Sequence, residues 1–233
     1  MKKWDNLLDV FEALEENDVD YAVLRNFEEI TAENGKDAFF VEGHDDIDII
    51  CDNPRKAKRV IGGRIEPITG FFYHYKTFVK EKPVRFGIRF VGDGYYDAKW
   101  EKDMLRSKIR VNELFYALDD EQYFYSLYYH ARVQKRKFSD SYKSRLKKMA
   151  EDLGMVVKSE EDFGCLLRTF MIENKYSFSF PLDISIPVYF ERTGIDDIEK
   201  TGYYCWRLRR LFLKPYHSFR LFMRRHLRIK ING

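Results

Sequence analysis

Cysteine is scarce and scattered: Cys51, Cys165 and Cys205 are spread over 233 residues. An odd number, with no pair at metal-ligand spacing, excludes a disulfide framework and a zinc module, and it fits reduced thiols in the cytoplasm. Long apolar runs are also missing. Charged residues interrupt the segment behind the two N-terminal lysines at once, so it cannot serve as the apolar stretch of a signal peptide. No uninterrupted stretch reaches the length needed to span a bilayer. There is no internal repeat and no low-complexity tract. Acidic residues vanish at one end. From Lys200 onward there are ten Lys or Arg and no Asp or Glu, whereas the first fifty residues are acidic. A net charge of +3 does not by itself argue for nucleic acid. The asymmetry hints at an anionic partner near the C-terminus.

What is present is a globular composition, 45% hydrophobic and 34% charged, with aromatics at 17% (20 Phe and 16 Tyr). That aromatic content predicts a dense core, with a stacking or carbohydrate-contacting surface as the alternative. Trp4, Leu7, Leu8, Phe11 and Leu14 recur at helical spacing and predict a helix over residues 4–16. Tyr21–Leu24 reads as a short buried strand, and the acidic stretch after Phe27 opens a second helix. A strand over Ile47–Ile50 closes at Asp52-Asn53-Pro54, where Pro54 starts a helix that ends at Gly62-Gly63. Residues 64–91 alternate like a strand meander. Val84, Phe86, Ile88 and Phe90 share one face, and Arg85, Gly87 and Arg89 the other. Gly92-Asp93-Gly94 signals a turn. Beyond Trp100 the pattern becomes helical, with a boundary expected near residues 112–121.

The stretch that carries chemistry is His44-Asp45-Asp46-Ile47-Asp48-Ile49-Ile50. In a strand, Asp46 and Asp48 point to one face and Ile47 and Ile49 to the other. Two like charges side by side disfavour folding, and a divalent cation removes the conflict. Mg²⁺ is held by one or two carboxylates together with substrate phosphates. The competing reading is an edge strand with its acidic face in water. Upstream, Asp20–Asn26 runs a hydrophobic strand into a turn ahead of a helix, whose N-terminus would suit phosphates.

This order of strand, turn, helix and Asp-x-Asp strand resembles the nucleotidyltransferase superfamily. The resemblance implies an α+β fold, a nucleotidyltransferase-like mixed sheet flanked by helices and followed by a helical C-terminal region. It implies that Asp46 and Asp48 hold Mg²⁺ or Mn²⁺, and that a nucleoside triphosphate or nucleotide sugar is the donor. Leu24-Arg25-Asn26 falls where the superfamily carries a glycine turn, so Arg25 and Asn26 become the phosphate contacts. The phrases Val91–Asp97 with Trp100-Glu101, and Tyr125–His130, resemble a subgroup associated with bacterial surface-polysaccharide synthesis. The third carboxylate of the superfamily falls at Gly87, which offers no ligand; Asp93, just past the strand, is the substitute. Arg85 and Arg89, on the face of Gly87, would pair with phosphate or form an exposed ladder. His130 is a candidate base, or a hydrogen-bonded helix packer.

The tail, residues 206–231, alternates Arg with Leu, Phe, Trp and Met on two helices broken at Pro215. It would lie on an anionic membrane surface or pack its apolar side on the domain. These readings divide the chain into a nucleotidyltransferase-like domain over residues 1–115, a helical region over 116–200 and a basic amphipathic tail over 201–233. The expected function is a Mg-dependent nucleotidyl- or phosphotransferase acting on a sugar, polyol or glycan-linked acceptor. The expected place is the cytoplasm, with a peripheral position at the inner face of the membrane as the alternative. The alternatives are a catalytically impaired nucleotide-binding or scaffold protein of the same fold, and a peripheral membrane adaptor. The basic residues match no nucleic-acid motif, which argues against that partner.

Overall fold

Local chemistry sets most of the element boundaries. Asn6 and Asp9 form a reciprocal capping box that starts α1 (Leu7–Glu16). The helix therefore begins later than its apolar spacing predicts, and Lys3–Trp4 pairs as a short strand, β1. Asn53 caps α2 (Pro54–Ile61), and Gly62, at φ 67°, closes it in the left-handed conformation. The computed structural model describes residues 2–28, 30, 46–65, 74–135, 137–183, 186–189 and 200–226. The helix expected after Phe27, together with His44 and Asp45, lies outside the described residues.

The strands β2 (Tyr21–Val23), β3 (Asp46–Cys51), β4 (Arg64–Ile65), β5 (His74–Val79) and β6 (Lys82–Phe90) form one mixed sheet with β1 and a later hairpin. Its order is β1-β5-β6-β3-β2, then the two strands of the hairpin, with β4 beside β5. The hairpin, β7 (Ile109–Val111) and β8 (Phe115–Ala117), returns to the sheet after α3 (Ala98–Ser107) and pairs with β2. Helical periodicity beyond Trp100 conceals it, because each strand is only three residues long. β3 lies at the centre, parallel to β6 and antiparallel to β2. The edge-strand explanation of the two aspartates is thereby removed.

Apolar alternation anchors this core. Ile47 and Ile49 are buried on one face of β3, as are Val84, Phe86 and Ile88 on β6. Helices α1 and α2 pack on each other, and α3 packs against β2 and β3. Among the described residues, most of the aromatics are buried in the interior. Trp100 stacks on Tyr176 with centroids 5.5 Å apart, and Tyr125 stacks on Phe170 at 3.8 Å. Trp100 also packs edge-on against Tyr129 and Phe170, which ties α3 to α4 (Asp120–Tyr129) and α6 (Glu160–Glu173), with α5 (Asp140–Asp152) alongside. A π-helical turn, His130–Gln134, prolongs α4.

The tail differs from expectation. Lys200–His226 is one helix, α7, with Pro215 inside it, rather than two. A proline removes one N–H and crowds the preceding turn, which can bend a helix without ending it.

Candidate active site on the central strand

The sheet register builds the site. Asp46 lies beside Arg85, Asp48 beside Gly87, and Gly87 beside His74 on the next strand. Three strands thus present Asp46, Asp48, Arg85, Gly87, Arg89 and His74 on one face. At the end of β2, the Leu24 amide donates to the Asp48 carbonyl at 2.8 Å. The chain then turns through Asn26, a non-glycine residue at φ 59°. Arg25 is carried over Asp48, and its Nε donates to Asp48 Oδ2 at 2.7 Å.

Both partners are largely sealed, with side-chain exposures of 9% for Arg25 and 15% for Asp48. Burial alone would raise the Asp48 carboxyl. The charge and hydrogen bond of Arg25, with Arg89 and His74 nearby, more than offset it and hold the group below its ordinary value. Burial likewise opposes the Arg25 charge, and Asp48 overcomes it. The other Asp48 oxygen explains Gly87. A Cβ at residue 87 would lie 2.1 Å from Asp48 Oδ1. The carboxylate occupies the space that any side chain there would need.

Arg25 also reaches sideways, donating through Nη2 to the Tyr95 hydroxyl at 3.3 Å. That hydroxyl shares a 2.6 Å hydrogen bond with His130 Nδ1. Gln134, one π-turn on, donates to the Tyr95 carbonyl at 2.8 Å. His130 is thus both hydrogen-bonded and buried. Burial, then the Arg25 charge, pushes its pKa well down, which keeps the imidazole neutral.

Asp93 belongs to a second cluster. It is 2% exposed, accepts from the Tyr95 amide at 2.8 Å, and lies 3.7 Å from Arg89 Nη1. Asp183 approaches the same guanidinium at 3.8 Å, and the Arg89 guanidinium stacks over Tyr95 at 4.2 Å. Glu101, fully buried, receives the Gly92 amide at 2.6 Å and the Tyr96 amide at 3.1 Å. Burial and the neighbouring Asp93 charge push Glu101 up to about 9; burial raises Asp93 as well. Among the described residues no three His, Cys, Asp or Glu side chains gather to hold a metal ion. Asp46, Asp48 and Asp93 therefore form no three-carboxylate cage.

The sequence put Asp46 with Asp48 on one strand face, Arg85 with Arg89 on the face of Gly87, and Arg25 in the turn after β2; the register sets the two faces side by side, and Arg25 bonds Asp48. Asn26 turns its side-chain oxygen to Arg145 Nη1, at 2.7 Å. Arg89 is buried and ion-paired, so it is not part of an exposed ladder. Tyr95, His74 and Gln134 escaped notice as site residues. Tyr95 stood inside the Val91–Asp97 phrase, but nothing in the spacing of Gln134 marks it.

No family model matches the sequence, and no curated protein is similar to it. Among solved structures, the chain is similar to the solution structure of the antibiotic-resistance factor ANT(2'')-Ia. It shares 15% identity over 71% of this chain and 89% of that one, with a TM-score of 0.39. A likeness that distant carries neither the fold nor the chemistry.

Proposed function

We propose that the protein is a nucleotidyl- or phosphotransferase of the nucleotidyltransferase type, acting on a sugar, polyol or glycan-linked acceptor in surface-polysaccharide synthesis. One observation carries this reading: two aspartates on one face of the central strand, set among Arg25, Arg85 and Arg89. Pure stability gives no reason to place like charges there, whereas a phosphate-bearing donor and its cation do. The donor set fits a single hard cation, held by Asp46 and Asp48 with substrate phosphates completing its shell, and lacks the third acid of a two-ion cage. When bound, such an ion would neutralise phosphate charge and polarise the P–O bond.

The chain's own residues have separable parts. Arg25 orients Asp48 through Oδ2 and offers a guanidinium to phosphate oxygens. Tyr95 and His130 fix Arg25 from behind. Asp93 holds Arg89 in this reading and does not touch the acceptor, because it is sealed in the turn. Thermal shift with the four ribonucleoside triphosphates and several nucleotide sugars, with and without Mg²⁺, tests the proposal. A Mg²⁺-dependent shift lost in Asp48→Asn is expected. Asparagine keeps an oxygen for Arg25, so the variant should fold. A shift that survives it would remove the aspartates from the site.

A second reading is a nucleotide binder without turnover, favoured by Gly87 and the missing third acid. It predicts the same shift with no product in a turnover assay. Gly87→Asp would not simply restore chemistry, because its Cβ collides with Asp48 Oδ1.

A membrane role for the tail is favoured by a different observation. Tyr204, Leu208, Leu211, Phe212 and Phe219 are exposed on α7, Phe212 at 74%. Their spacing puts them on one helical face. The Trp206 end is anchored, its Nε1 donating to the Pro181 carbonyl at 3.3 Å. Among the described residues no helix is long and apolar enough to cross a membrane, so any contact would be with the surface of an anionic bilayer.

A further inference from the structure

A cavity of about 550 Å³ opens where the turn after β2 meets α4 and α5, within the roughly 300–1,000 Å³ range of small-molecule sites. Its wall is built from the residues that follow Arg25. The Asn26 amide donates to the Tyr123 hydroxyl at 3.1 Å, and Phe27 packs on the Tyr123 ring with centroids 4.6 Å apart. Arg145 donates to Asn26 Oδ1 at 2.7 Å and to both Glu28 carboxylate oxygens at 2.7 and 2.8 Å, and it also contacts the Tyr123 hydroxyl. The left-handed Asn26 backbone and these bonds make the wall rigid. The Asp48 site and the cavity wall therefore share one turn of chain.

The lining selects a ligand class. Phe27, Met149 and Leu153 offer an apolar floor, while Asp120, Asp152 and Lys148 stand around it. Glu28 and Arg145 compensate each other, which leaves two carboxylates against one ammonium. A phosphate or a nucleotide would meet net repulsion there. Phe27 and Tyr123, buried and packed together, leave little open ring face for a flat base. Hydroxyl groups both donate and accept, so two carboxylates and one ammonium suit a cluster of hydroxyls, and C–H faces suit the floor.

We infer that this cavity binds a neutral polyhydroxylated acceptor, a sugar or polyol, beside the donor site. Its role as the acceptor site rests on the transferase reading; its ability to bind does not. Saturation-transfer NMR on the full chain with glucose, galactose, N-acetylglucosamine and ribitol, without nucleotide, tests it. At least one should give a signal that weakens tenfold or more in Leu153→Trp and in the exposed pair Asp120→Asn/Asp152→Asn. The nucleotide thermal shift should stay intact in both. Silence from all four probes would overturn the inference, as would a signal indifferent to both variants. Loss of the nucleotide shift in Leu153→Trp, with the sugars silent, would make the cavity a donor pocket and overturn it too. A variant-sensitive sugar signal in a protein that shows no nucleotide shift would uphold the cavity while sinking the transferase reading.

Discussion

Two acidic clusters flank the same sheet, one on strand β3 and one in the turn and helix that follow β6, and they solve opposite problems. Asp48 is held ionised by a guanidinium at 2.7 Å and keeps its second oxygen over the empty side of Gly87. Glu101, beside Asp93, is shut away from water and keeps its proton up to about pH 9. The first is a charged pair on the central strand; the second behaves as part of the scaffold. Proximity of carboxylates in sequence, or even in space, does not make a metal site. What separates the two is how each charge is settled: Asp48 stays ionised against a guanidinium, whereas Glu101 keeps its proton.

The largest expected effect comes from unbalancing the first cluster. Arg25→Met leaves Asp48 without its partner and should cost about 3–5 kcal/mol in urea unfolding. Adding Asp48→Leu should recover most of that loss. If the single variant were as stable as wild type, Asp48 would have another partner and the contrast would fail. Gly87→Ala is next. Its methyl must displace the Asp48 carboxylate, at an expected cost of about 1–3 kcal/mol, together with a weaker nucleotide shift. An unchanged shift would mean that Asp48 Oδ1 does not matter to the ligand.

The second cluster should betray itself through pH. Glu101 keeps its proton in the folded chain to about 9, while an unfolded glutamate releases it near its ordinary value of about 4.3. Between those limits the folded state holds more protons, so this group's contribution to stability is full at low pH and is lost as pH rises towards 9. Glu101→Gln should flatten that fall in denaturation midpoints measured from pH 5 to 9. A slope equal to wild type would place the proton elsewhere. Smallest of all is the tail. Leu211→Glu, on an exposed position, should move stability by no more than about 0.5 kcal/mol. It should still reduce co-sedimentation with anionic vesicles. Binding equal to wild type would leave that helix face without a membrane role.

Legibility in the sequence followed the range of the interaction. The alternation of Asp46, Ile47, Asp48 and Ile49 states a strand and its two faces locally, and the burial pattern agrees. The partners of those residues are set by long-range closure. Nothing near Asp48 announces Arg25, 23 positions away, and nothing near Arg25 announces Tyr95, 70 positions away. Asp93 was legible as a turn residue, but its burial depends on Glu101 and on Arg89, which Asp183 also approaches. A strand–turn pattern therefore made it look available when it was not. The β7–β8 hairpin was missed for a different reason: strands of three residues are too short for a period to declare itself.

Arg145, which braces Asn26 from 119 residues downstream, carries a consequence for how the molecule is made. At roughly 5–20 residues per second, a ribosome finishing Arg25 needs about 4–14 s to reach Tyr95. Still more chain must emerge before Arg145 can close the turn. Throughout that interval the Arg25–Asp48 pair has neither of these supports. A chain cut short between β8 and α5 would hold every strand of the sheet yet leave the Asn26 turn without its Arg145 brace, so that turn is finished only once translation and folding have both run past residue 145.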